Sequence, residues 1–63
     1  MSKALIEKTI EGLTATALEK VCVLGREEAG EDIEKLRQVV VELVSFWDMD
    51  ERYIEQFDME VNL

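Results

Sequence analysis

The sequence predicts an all-α fold: a helical hairpin with a short third C-terminal helix, completing a bundle by oligomerisation. Three observations carry this. Apolar residues recur at spacings of three and four, the period of one helix face. The 63 residues contain no proline. Gly25 stands where the first periodic run ends, and glycine can terminate a helix there in a left-handed conformation without a side-chain clash.

The first helix is predicted over residues 3–24. Ile6, Ile10, Leu13, Ala17 and Leu24 keep the spacing with Val21 on the flank, while Glu7, Lys8, Glu11 and Glu19 lie elsewhere around the helix. Ser2 has the hydroxyl that suits an N-cap. Past Gly25, the run Ala29, Ile33, Leu36, Val40, Leu43, Trp47 continues the pattern. Its alternation of Ile33 and Val40 with Leu36 and Leu43 is the heptad preference of packed helices. This second helix is expected to reach residue 47. It begins either at Arg26, with Gly30 inside it at some cost, or at residue 31 after a loop.

The same phase runs on through Asp50 to Ile54, Phe57 and Val61, and only Asp50 breaks the seam. Asp48 and Asp50 are both N-cap residue types, and Asp48 with Glu51 three positions later matches a capping box. A helix break is therefore expected at residues 48–50, followed by a third helix over about residues 50–58. The competing arrangement, one helix to residue 58, would overhang the hairpin by ~17 Å and leave Ile54 and Phe57 uncovered. Residues 59–63 are expected to form a loose tail. There Phe57, Met59, Val61 and Leu63 alternate with polar residues, a short strand signal that could add to the sheet edge of a partner.

One domain of this size buries only ~60% of its unfolded surface, and such a core rarely supplies more than ~3–5 kcal/mol. A single cysteine, Cys22, allows no internal disulfide, so association is the expected remedy. A second apolar line supports it: Val39, Phe46 and Tyr53 lie seven apart beside the main seam, and Leu18 and Cys22 lie off the seam of the first helix. A homo-oligomer, or the helix of another protein laid against the hairpin, would cover these lines. No apolar stretch approaches the ~20 residues of a membrane span, and charges interrupt the first 24 residues. The expected location is the cytoplasm, without membrane association.

The net charge of −8 is uneven: residues 1–25 hold three acids and three bases, residues 26–63 twelve acids and four bases. This balance argues against direct nucleic-acid binding, which needs clustered Lys and Arg. It suits a basic partner. As a decoy of nucleic acid one chain is sparse, since Glu27, Glu31, Glu34 and Glu42 give four carboxylates over ~22 Å of helix where duplex DNA presents ~13 phosphates; a dimer adding Glu28, Asp32, Asp48, Asp50, Glu51, Glu55 and Asp58 from each copy comes closer.

Metal and acid–base chemistry fail on residue types. The run DMDERYIEQFDM places carboxylates at the first, third and fourth positions of a calcium loop, but Tyr53 stands where the turn needs glycine and Met59 where a bidentate glutamate is needed. Without histidine there is no di-iron or zinc ligand set. Cys22 has no base to activate it, and its neighbours Leu18, Val21 and Leu24 predict a buried, inert thiol. No catalytic, cofactor-binding or metal-binding residue is assigned, and no cofactor is expected. The function this leaves is a non-enzymatic, acidic protein–protein interaction module acting as a small regulator, inhibitor or adaptor. Val39, Phe46, Trp47, Tyr53, Ile54 and Phe57 are the expected partner-binding residues, because aromatic anchors dominate interface energy. Asp48, Asp50, Glu51, Glu55 and Asp58 are the expected acidic steering surface. The alternatives are a nucleic-acid mimic or anti-repressor that blocks a DNA-binding protein, and a small structural subunit of a larger complex.

Overall fold

The structure, a computed structural model, describes residues 2–62. It contains α1 (Lys3–Leu24), α2 (Arg26–Phe46) and α3 (Arg52–Asn62). α1 and α2 form the hairpin, and α3 folds back to pack against both. The body measures 33 × 17 × 15 Å, so its long axis is the length of α1.

Each helix boundary has a local cause. Ser2 is extended, and its hydroxyl accepts the Leu5 N–H at 3.4 Å, capping α1. At the other end one residue makes the whole connection. The Gly25 N–H donates to the Val21 carbonyl at 3.0 Å, and the Gly25 carbonyl accepts the Ala29 N–H at 3.0 Å. Gly25 thus closes α1 and opens α2. Its backbone, φ 84° and ψ 161°, lies in a region that is in practice glycine's alone. α2 therefore starts at Arg26, with Gly30 inside the helix, and Glu27 and Glu28 face the positive end of its dipole.

α2 ends in a Schellman motif. Met49 N–H donates to the Val44 carbonyl at 2.9 Å, Asp48 N–H to the Ser45 carbonyl at 3.4 Å, and Asp48 takes the left-handed conformation, φ 51°. The hydrophobic contact that accompanies this motif is present, because Met49 packs on the core. The chain then restarts through Asp50, whose carboxylate accepts the Arg52 N–H at 2.9 Å and whose carbonyl accepts the Tyr53 N–H at 3.2 Å. The helix break lies where the sequence predicts it, with the roles divided differently. Asp48 terminates α2 and Asp50 caps α3, so the expected Asp48–Glu51 capping box is replaced by an Asp50 turn.

The C-terminal segment departs from expectation. α3 runs to Asn62 rather than ending near residue 58, so residues 59–62 are helical and neither a loose tail nor a strand. Leu63 lies outside the described residues. Phe57 and Val61 are i and i+4 and both face the core, whereas Met59 between them is 67% exposed. The alternation by two that suggests a strand is compatible with this helix, and burial of Val61 settles the choice.

The core takes Ile6, Ile10 and Ala17 from α1, Val40 and Val44 from α2, and Phe57 and Val61 from α3. Thr14 is also buried, with its hydroxyl donating to the Ile10 carbonyl at 2.9 Å, and among the described residues no buried side-chain polar atom lacks a partner. α3 is half the length of its neighbours and leaves the Gly25 end of the hairpin without a third helix. Leu24, assigned to the seam by spacing, is accordingly exposed. Cys22 is exposed as well, correcting the expectation of a buried thiol.

Two pairs of substitutions test these boundaries by urea or thermal unfolding. Gly25→Ala is expected to destabilise by ~1–3 kcal/mol through backbone strain alone, since no neighbour crowds a Cβ there. Gly30→Ala, equally uncrowded but inside α2, is expected to stabilise by ~0.5–1 kcal/mol. Asp48→Gly is expected to stabilise by ~1 kcal/mol because glycine enters the left-handed region freely, and Asp48→Val to destabilise by at least as much.

Candidate interaction groove

On α2, Val39, Leu43 and Phe46 stand at i, i+4 and i+7, which places them on one stripe of the helix. With Glu42, Ser45 and Trp47 they line a shallow, mainly apolar groove of about 670 Å³. Phe46 is 80% exposed and Val39 41% exposed. Trp47 braces Phe46, their rings meeting edge to face at 5.2 Å with 74° between planes. Trp47 is itself partly buried and packs on the core, so the exposed Phe46 ring stands against a side chain anchored in the fold.

The expected partner-binding residues divide. Val39, Phe46 and Trp47 share this groove. Phe57 is 1% exposed and sits inside the chain's own core, out of reach of a partner while α3 is docked. Tyr53 and Ile54 pack against that core from α3. Tyr53 also donates its hydroxyl to Glu7 Oε1 at 2.6 Å, tying α3 to α1, and this bond with the carboxylate holds the phenol pKa above its ordinary value. Glu42, Leu43 and Ser45 complete the groove; Leu43 packs on the core as seam periodicity predicts, and its spacing with Val39 and Phe46 places it along the groove as well.

The expected steering acids divide too. Asp58 is a structural residue: Arg37 Nε and Nη2 donate to its two oxygens at 2.7 and 3.0 Å, joining α2 to α3. Asp50 is bound by the backbone and the Nε of Arg52. Asp48, Glu51 and Glu55 are exposed. Among the described residues none of these three, nor Glu42, takes part in an ion pair. Glu42 accepts only the Gln38 amide, at 3.5 Å. The last turn of α2, where the groove lies, carries no basic residue to balance the negative end of the helix dipole.

No group of three or more His, Cys, Asp or Glu side chains is placed to hold a metal ion, and no helix is long and apolar enough to cross a membrane, among the described residues. No known protein family, curated protein or solved structure matches this chain.

The Arg37–Asp58 pair sets a pH dependence. Its hydrogen bonds, and then its charge, hold the Asp58 carboxyl below its ordinary pKa against the opposing effect of desolvation. A depressed folded-state pKa gives stability that is complete above the unfolded value and is lost as pH falls through the folded one. Asp58→Asn is therefore expected to be less stable than the native chain near neutrality. The gap should close as pH drops below the ordinary aspartate range. Melting curves of both proteins across the acid range check this.

Proposed function

We propose that this chain is a non-enzymatic protein-interaction module that presents the Val39–Leu43–Phe46 stripe of α2 to another protein, as a small regulator, inhibitor or adaptor. The observation that carries the reading is Phe46: a large aromatic side chain left 80% exposed, braced by Trp47, and continuous with other apolar surface. Burying one such ring gives ~1.5–3 kcal/mol, and a central aromatic in a pocket is the commonest energetic anchor of an interface. Scattered single hydrophobic residues on a surface call for no explanation, but a contiguous apolar groove beside uncompensated acids does.

The decoy reading has less behind it. Glu31, Asp32, Asp50 and Asp58 are paired with Lys35, Lys20, Arg52 and Arg37, which removes four carboxylates from any phosphate-like array. Self-association also loses part of its motive, because α3 brings Phe57 and Val61 into the core that a second copy was expected to complete.

Capture from the native host with three immobilised proteins tests the reading. The native chain and Met59→Ala, altered on the outer face of α3, are expected to retain the same protein, and Phe46→Ala to lose it. Retention by Phe46→Ala together with loss by Met59→Ala would move the site off α2 and refute the proposal.

A further inference from the structure

We infer that the occupant of the α2 groove is an amphipathic, cationic helix of another protein, with its apolar face on Phe46 and its flanking Lys or Arg side chains against Glu42 and Asp48. This rests on the interaction reading above and deepens it by fixing the partner's chemistry. Shape is the first argument. Val39, Leu43 and Phe46 form a ridge of ~10 Å along a helix axis, the length that one i, i+3/i+4, i+7 set on a facing helix covers. An added strand has nothing to pair with, because the backbone groups along the stripe are bonded within α2 and its terminal Schellman motif.

Charge is the second argument, and it selects among helices. From Gln38 to Glu51 the chain has four acids, Glu42, Asp48, Asp50 and Glu51, and no Lys or Arg. Only Asp50 has a cationic partner among the described residues. Glu42 is part of the groove wall, and Asp48 directly follows Trp47. The carbonyl end of α2 adds partial negative charge at the same place. A cation brought to this rim therefore meets Glu42 in the groove wall and the C-terminal end of α2, with Asp48 next in the chain, and no Lys or Arg lines the groove.

The same charges disfavour a second copy of this chain. A two-fold interface is self-complementary, so an axis near Leu43 would bring the Glu42 residues of both copies together. Each copy also carries a net charge of −8. Like charges facing across an interface oppose docking, whereas Lys and Arg on the partner's flanks speed encounter and fix orientation.

The test uses the full chain, whose single tryptophan, Trp47, stands in the groove wall and reports occupancy by its fluorescence. The probes are helical peptides of ~15 residues with a Leu stripe matched to the groove, one flanked by Lys and a twin flanked by Glu. The Lys peptide is expected to shift the Trp47 emission saturably, and its affinity to fall about tenfold between about 0.05 and 0.5 M salt. Phe46→Ala is expected to weaken it by about tenfold or more with unchanged helicity. The double variant Glu42→Gln, Asp48→Asn is expected to weaken it several-fold and flatten the salt dependence. Equal binding of the Glu twin would overturn the cationic partner while leaving the interaction reading standing. So would a dimer in sedimentation that Phe46→Ala dissociates and the Lys peptide cannot displace. Silence of Trp47 toward both peptides also overturns this inference, and the interaction reading falls with it only if host capture proves insensitive to Phe46→Ala.

Discussion

The fold depends on the reversal at Trp47–Met49. A helix that continued through this point would carry Ile54 and Phe57 past the end of α1, where nothing in the chain could cover them. Instead Asp48 adopts the left-handed conformation, the Val44 and Ser45 carbonyls are taken up by the Schellman bonds, and Asp50 restarts the helix in the opposite direction. α3 then lies back along the hairpin and delivers Phe57 and Val61 to the core. The reversal also fixes what stays outside. α3 returns along one side of α2, so the stripe of Val39, Leu43 and Phe46 keeps an open side, with Phe46 as the last residue of the helix.

In a chain this short, α3 is not an accessory. Phe57 is the largest of the fully buried side chains, and burying it is worth ~1.5–3 kcal/mol, a large share where a core of this size rarely supplies more than ~3–5 kcal/mol. The polar links at the margin, Tyr53 to Glu7 and Arg37 to Asp58, are partly exposed. Their main effect is orientation, since exposed ion pairs add little to stability. They are made with the face of α3 that buries Phe57 turned inward and Met59 turned out.

The parts of this architecture that depend on local chemistry were legible in the sequence. Ser2, Gly25 and the Asp48–Asp50 cluster mark helix ends through their own backbone and capping preferences, and the structure uses all of them. What depends on the direction of a turn was not legible. Phe46 lies off the seam in the sequence and is exposed as that position implies, whereas Phe57, expected to meet a partner, is enclosed because the reversal turns α3 back onto the hairpin. Val44 and Thr14 were missed for a related reason. A helix touched by two neighbours buries a wider arc than the single stripe of a hairpin, and α3 makes both α1 and α2 such helices. Cys22 and Leu24 err in the opposite sense, since α3 is too short to reach them. Of the groove, Val39, Phe46 and Trp47 were read from spacing, while the acids were separated into structural and uncompensated ones only by the ion pairs.

The proposed function rests on the same asymmetry. One side of α2 is satisfied within the chain, by apolar contact and by the Arg37–Asp58 pair, and the other side offers an apolar ridge with an acidic rim. The central claim is that Phe57 is enclosed and Phe46 open because the chain reverses at Asp48. Proton–proton Overhauser contacts of the two phenylalanine rings in solution test it most directly. The account predicts contacts from the Phe57 ring to the methyl groups of Ile10 and none from the Phe46 ring to α1. Amide contacts running unbroken in helical register from Phe46 to Arg52, with no Phe57 contact to α1, would contradict it.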